Sequence, residues 1–545
     1  MAARIRLYGI IFFSLLFSTA TAQTPPGATP LDVQLYDDTS PGYIFISPTP
    51  QVPTFPEAAN LMVLDPQGEL IWYALLGNDG PPPFQTVFTA DFKALGNGTL
   101  SYFVPGAGGG KFMILDSAFA LIDSVWCNGI SRTDAHDLDL DASGNYTLMC
   151  DSVITGDASG LTTNGGVQGS STAQISYQIV QKQAPNRSVI WNWGSLDHQP
   201  INNSDTAQFN SPSLLDHTHM NSTWEDPAGH VVISSRNLNE ITRFNPATGA
   251  IDWRFGGKGN DFTLIGDTEF FSAQHDANFT SDGRLYLFDN GSVGAHRVAR
   301  YVEYELDTVA MTATLVREIR HPNALLSRYM GNAIRMPDEH VILSWGGVFP
   351  EDSTVDIAEY LPNGAPALEI DLPEDYFSYR VHKGELGWTL QRPALTCNNG
   401  LQMLSAPAGH ASYWWNTGDT TREITISSPG KYQVWVDRGI GFISSEPVWV
   451  TDVGDVCLAL DQGDGGMQEM EVGPNPTSGV LQLWLPEDLR SGWRLEVYDG
   501  LGRMVEVAEG HVLSTRLDME GWPAGVYVLR VEGNGKVYRE RVLKR

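Results

Sequence analysis

The sequence predicts an all-β chain: a six-bladed β-propeller, then an immunoglobulin-like β-sandwich module, then a small β-sandwich at the C-terminus. Three observations carry this expectation. Apolar residues alternate in short runs broken by Gly, Asn, Asp and Pro, a strand pattern with no helical period. Two kinds of element each recur six times between residues 38 and 383. The 55 Gly and 32 Pro are scattered without a short period, which fits many turns and excludes collagen. With 42% hydrophobic and 10% aromatic residues over 545 positions, the chain can bury a large core, so disorder as its main state is excluded.

The first repeated element is a hairpin whose turn holds Asp, Asn or Gly and whose second strand often ends in Trp. Its copies are Leu61–Trp72, Phe112–Trp126, Tyr177–Trp193, Ile241–Trp253, Val302–Ile319 and Ile357–Ile370. The second is a turn followed by a short apolar strand, starting at Gly42, Gly98, Gly144, Gly229, Gly283 and Glu339. Each repeat is longer than the ~40–45 residues of a minimal four-stranded blade, so long loops are expected. A propeller over residues 23–383 follows, because closure hides most sheet edges. The alternatives are an array of β-sandwiches or a propeller with another blade count.

The ends carry their own signals. Residues 1–22 read as an export signal: Arg4 and Arg6, an apolar core from Leu7 to Phe17, and Ala20-Thr21-Ala22 at the cleavage position. The run is short for a membrane span, and no later stretch reaches ~18 apolar residues, so no span is expected after signal removal. Cys127 with Cys150 and Cys397 with Cys457 form two close pairs, which in an exported chain fit two disulfides. Residues 386–457 read as an immunoglobulin-like spacer module. Trp414, Trp415 and Trp435 are assigned there to a packed core ahead of carbohydrate binding. Acidic residues outnumber basic ones 64 to 34, a net charge of -30, so nucleic acid and anionic lipid are unfavoured partners. An anionic small substrate needs a local cluster of Arg and His.

Such a cluster emerges from register. Eight residues before the turn Gly144 lies His136, and eight before Gly283 lies His275. The same count from Gly229 reaches Asn221, with His219 two residues further back. Residues two apart on a strand share a face, so His219 and Asn221 are expected to project together. In the sixth repeat the count reaches Gly331, beside Asn332, and in the copy with Gly98 it reaches Ala90. Arg236 ends the strand after Gly229 and can bring a fork-shaped donor to the channel mouth. Asp137 and Asp276 each follow a channel His and either orient it or bond to backbone. His217, His230, His296, His321, His340, His382 and His410 fall out of register and read as structural. His217-Thr-His219 has a spacing a metal would use, but without a nearby fixed carboxylate the set is read as an anion site, with no metal and no cofactor assigned and zinc or calcium as the rival reading.

Two resemblances rest on these residues. Residues 466–545 contain Pro-Asn-Pro-Thr-Ser-Gly from position 474, Asp499-Gly-Leu-Gly-Arg503 and a basic Lys544-Arg545 finish, in that order. This resembles the C-terminal sorting domain of the bacterial type IX secretion system, which implies that machinery as a partner and secretion or surface display by way of the periplasm. Residues 60–350 contain Ala135-His136-Asp137, His219-Met-Asn221-Ser222, Ile233-Ser-Ser-Arg236, Gly249-Ala-Ile-Asp-Trp253-Arg-Phe-Gly256-Gly257, Gln274-His275-Asp276-Ala277 and Leu287-Phe-Asp289-Asn290-Gly291. This resembles the arylsulfotransferase family of six-bladed propellers. The resemblance implies transfer of a sulfuryl group from an aryl sulfate ester to a phenol without a nucleotide donor. It implies His275 as nucleophile, His219, Asn221 and Arg236 as ligands of the sulfuryl oxygens, His136 as a further catalytic group, and the Gly331-Asn332 stretch, hence Asn332, in place of a late hydroxyl or amide. The competing expectation is a secreted propeller without catalysis that binds a ligand or partner.

Overall fold

The computed structural model describes residues 24–545 apart from 51–58, 77–88, 107–108, 292–296, 350–354, 375, 440, 451–452, 455, 458–469, 474, 476, 478, 487–488 and 499–502. The expected export signal, His296 and most of the Asp499–Arg503 turn therefore lie outside the described residues.

Among the described residues, six sheets follow one another, each built on four antiparallel strands, to which the third, fifth and sixth add one further strand and the first adds three. The second sheet runs Ala90–Ala94, Leu100–Val104, Lys111–Leu115 and Leu121–Val125; the fourth runs Met220–Glu225, Val231–Ser235, Glu240–Phe244 and Ile251–Gly256. The third and fourth strands of each set of four are the repeated hairpins, and the second strands are the repeated turn-strand elements. The inner strands adjoin in one closed circuit: Ala90–Ala94, Arg132–Leu140, Met220–Glu225, His275–Phe279, Asn332–Arg335 and Tyr376–Gly384, which returns to the first. This is a β-propeller. Apolar faces of successive sheets fill the space between them. Trp253 and Phe255 of the fourth sheet pack with Leu285, Leu287, Val302 and Tyr304 of the fifth. Ala90, Phe103 and Phe112 of the second pack with Leu138 and Leu148 of the third.

Closure uses both chain ends. The inner strand of the first sheet is Tyr376–Gly384, paired antiparallel with Tyr43–Pro50. The outermost strand of the last sheet is Asp32–Leu35, paired with Pro366–Asp371. The segment after the propeller then adds to the first sheet: Phe442–Ser444 pairs with Leu70–Leu75, followed by Val434–Asp437 and Tyr413–Trp415. Trp415, Val434 and Ile443 share one core with Phe45, Trp72 and Phe92 of the propeller. Cys127–Cys150 and Cys397–Cys457 are both bonded. The C-terminal unit is two sheets closed over Leu481, Leu483, Leu495, Val497 and Leu529.

The inner strands are irregular at one level. Bulges interrupt the pairing at Asp91-Phe92, Asn221, Asp276-Ala277 and Tyr379-Arg380, each two residues or fewer wide. In the third sheet the four residues Asp134–Asp137 leave the ladder between Thr133 and Leu138. A bulge breaks the alternation of side chains and re-aims them, as it commonly does at functional sites. Asp91 and Asp276 take positive φ here, 53° and 56°.

Candidate active site

Three of the bulges bring imidazoles to one place. The His136 and His219 rings meet edge to face with centroids 5.1 Å apart. Each is held by a carboxylate: His136 Nδ1 lies 2.5 Å from Asp134 Oδ1, and His219 Nδ1 lies 2.5 Å from Asp216 Oδ2. Asp134 also accepts from the His136 backbone N–H at 2.8 Å, which locks the bulge to its own imidazole. Burial works against a charge on His136, but the Asp134 carboxylate outweighs it and the net shift is upward. His136 thus favours the protonated form.

His275 is the opposite case. It is 1% exposed. Its Nδ1 faces Asn290 Oδ1 at 2.8 Å and the Ala273 carbonyl at 3.1 Å. Burial first, and then the Arg236 guanidinium, hold it well below the ordinary histidine range. The guanidinium acts on it because the two groups share one neighbourhood. An imidazole that resists a proton beside one whose carboxylate partner favours it is the division of labour that nucleophile and acid need.

Arg236 follows the strand Val231–Ser235 in a short 3-10 turn. Its Nη1 donates to Gln208 Oε1 (3.0 Å) and Asn237 Oδ1 (2.9 Å), and its Nη2 to the Arg328 carbonyl (3.1 Å). Its Nε is buried without a hydrogen-bond partner among the described residues. Nε–H and the second Nη2 hydrogen form the side-on fork that matches two oxygens of a tetrahedral anion. Tyr379 lies beside it: its ring is 5.5 Å from that of His136, and its buried hydroxyl likewise has no partner among the described residues.

The structure separates His219 from Asn221. His219 takes φ +47° and turns to Asp216, whereas the bulged Asn221 is fully buried. Asn221 Nδ2 donates to the Gln274 carbonyl at 2.7 Å and its Oδ1 accepts from Asp276 N–H at 3.3 Å. Asn332 makes the same latch two sheets on, from the sixth sheet to the first, with the Val381 carbonyl at 2.7 Å and Val381 N–H at 2.9 Å. The alternation that placed His219 and Asn221 on one face fails because His219 lies just before the strand, at positive φ, and Asn221 is itself the bulged residue. Both carboxamides tie an inner strand to the next one. Asn221→Ala and Asn332→Ala are each expected to cost about 1–3 kcal/mol through the backbone groups left unpaired. Thermal unfolding of the purified variants checks this, and an unchanged melting temperature for both contradicts the latch.

Asp137 and Asp276 do not orient the histidines they follow. Asp137 accepts from Lys93 Nζ at 2.7 Å and Thr223 N–H at 3.0 Å; Asp276 accepts from Asn278 Nδ2 at 3.0 Å and Ala333 N–H at 3.3 Å. They belong to an ionic cluster centred on Arg380, which lies 3.3 Å from Asp91, 3.5 Å from Asp137 and 3.7 Å from Asp276 and also donates to the Asn221 carbonyl. A side chain from the first sheet that touches four other sheets stands on the propeller axis. His382, set aside in the sequence as structural, joins this cluster through Asp91 at 3.0 Å. Asp134, Asp216, Asn290, Tyr379 and Arg380 carried no sequence signal at the register positions. Among the described residues, no group of three or more His, Cys, Asp and Glu side chains is placed to hold a metal ion.

Fold and site together define a β-propeller with a cluster of imidazoles and a guanidinium at its hub. A family model for arylsulfotransferases (ASST) matches residues 97–370, half of the chain, and the chain belongs to that family. Membership makes it a sulfotransferase-type enzyme. Residues 471–545 match the secretion system C-terminal sorting domain, so the protein is secreted by the type IX system to the cell surface or the extracellular space. No helix among the described residues is long and apolar enough to cross a membrane. No curated protein matches the sequence. Similar solved structures include a Lactobacillus plantarum protein (11% identity, 64% of this chain and 100% of that one, TM-score 0.35). Virginiamycin B lyase from Staphylococcus aureus is similar at 10% identity, over 65% and 93% of the two chains, with TM-score 0.28. These two likenesses are too weak to bear on activity.

Proposed function

We propose that the chain moves a sulfuryl group from an aryl sulfate ester to a phenolic acceptor in two half-reactions, through a sulfohistidine at His275 and without a nucleotide donor. The observation that carries this is a buried imidazole, His275, whose surroundings oppose a proton, beside His136, whose carboxylate partner favours one, and Arg236 with an unused fork, within the segment that matches the family. In the first half-reaction the His275 lone pair forms the S–N bond as the S–O(aryl) bond breaks, and the departing phenolate takes the proton of His136. In the second, the acceptor phenol returns a proton to His136 while its oxygen attacks sulfur and the S–N pair goes back to His275. Charge on the three spectator oxygens is met by Arg236 and His219, fixed donors that need no reorganisation. Asn221 and Asn332 act through the strands they hold.

We read the six sheets as six blades, residues 23–383 as the enzyme domain, 386–457 as a module bonded onto its first blade, and 466–545 as the sorting domain. The function is tested by incubating the protein with a chromogenic aryl sulfate, with and without phenol. The expected results are ping-pong turnover, phenyl sulfate as product, and a mass increase of one sulfuryl group on the peptide holding His275 when no acceptor is present. A protein that releases no phenol from any aryl sulfate and carries no sulfuryl label is a binding propeller instead.

A further inference from the structure

Asn290 is fully buried and has both ends of its carboxamide fixed. Its Nδ2 donates to Ser327 Oγ at 2.9 Å and to the Met330 carbonyl at 3.0 Å. Turning the amide over would set its oxygen against the Met330 carbonyl, two acceptors facing each other, so Oδ1 must face His275. Nδ1 of His275 therefore meets two oxygens that can only accept, Asn290 Oδ1 and the Ala273 carbonyl. On the other side of the ring, Nε2 meets a group that can only donate, the Met330 backbone N–H at 3.3 Å.

We propose that Asn290 is a positioning residue that fixes His275 in the tautomer with its proton on Nδ1 and its lone pair on Nε2, so that Nε2 is the atom that takes the sulfuryl group. The proposal rests on the sulfohistidine reading. As the Nε2–S bond forms, the S–O(aryl) pair leaves with the phenolate, and the Nδ1 proton stays where it is. The ring gains positive charge, so the hydrogen bonds from Nδ1–H to Asn290 and Ala273 become charge-assisted and strengthen in the transition state. Met330 N–H, at the long end of hydrogen-bond distance, releases Nε2 as the new bond forms.

The tautomer is read directly from long-range 1H–15N spectra of the full chain labelled with 15N-histidine, near pH 7, with the His275 signals assigned by their loss in His275→Gln. The expected wild-type result is a protonated Nδ1 and a bare Nε2, and in Asn290→Ala a mixture of tautomers. The same spectra do not depend on turnover, so a protein that fails to transfer sulfuryl groups but shows this tautomer refutes the function and not the positioning. Asn290→Asp keeps an acceptor at Nδ1 but adds a charge. The neighbours otherwise acting on His275, Arg236 first, disfavour a charge on it. A carboxylate there favours imidazolium, which has no lone pair to attack with, so the acid limb of the burst rate moves to higher pH by about one unit or more. Asn290→Ala lowers the burst rate about 10- to 100-fold. A wild-type His275 protonated on Nε2, an Asn290→Ala protein with the tautomer unchanged, or an Asn290→Asp protein that loses rate with the acid limb in place overturns the proposal.

Discussion

His275→Ala is expected to lower sulfuryl transfer by about 10⁴-fold or more, the scale seen when a covalent nucleophile is removed from an otherwise complete site. No neighbour can substitute. The Nδ1 atoms of His136 and His219 are engaged by Asp134 and Asp216, and the Asp134 carboxylate shifts His136 toward binding a proton. Arg236 and the rest of the site still bind the sulfate ester, so donor affinity falls much less than rate. Removing the ring also leaves Asn290 Oδ1 buried without its donor, which costs about 1–3 kcal/mol of stability. Rate and stability must therefore be measured on the same preparation, by burst kinetics and by thermal unfolding. A variant that is folded, keeps activity within tenfold and still acquires the sulfuryl label on another residue would move the nucleophile elsewhere.

Arg380→Met is expected to be the most destabilising single change in the propeller, by about 3–5 kcal/mol. The guanidinium is 1% exposed at its side chain. Around it Asp91, Asp137 and Asp276 face two cations, Arg380 itself and Lys93, whose Nζ lies 2.8 Å from Asp91 and 2.7 Å from Asp137. Burial opposes the charge on Arg380, yet Asp276, the Tyr379 ring and the other carboxylates hold it far to the charged side. Methionine fills much of the volume but leaves three carboxylates against one ammonium, and frees the Asn221 carbonyl. Chemical denaturation followed by tryptophan fluorescence reads the loss. A variant as stable as the parent would mean that the cluster contributes nothing net. Arg380→Lys is expected to recover only part, because one ammonium cannot reach four inner strands.

The sequence made the wheel legible because each meander repeats the same two elements, and turn residues mark both. Counting back from Gly144 and Gly283 found His136 and His275, since those turns sit at a constant distance from the inner strand. The count could not see what the bulges do. Asp134, which holds one imidazole, lies where side-chain alternation is suspended, Asp216, which holds the other, ends a short strand on the neighbouring sheet that the count does not cover, and Asn221 was placed on the face of His219 by an alternation that the strand does not keep. Tyr379 and Arg380 were out of reach for another reason. Their strand is the inner one of the first sheet but arrives at the far end of the domain, without a turn glycine to count from. The family match, ending at residue 370, stops short of them as well.

That late strand has a bearing on biosynthesis. A ribosome that has delivered residues 24–370 has produced five inner strands of a circle that needs six, together with three acidic side chains, Asp91, Asp137 and Asp276, whose shared counter-charge is still unmade. Catalytic competence is thus withheld until Tyr376–Gly384 threads between the oldest and youngest sheets, and every shorter fragment is an open arc with a frayed seam.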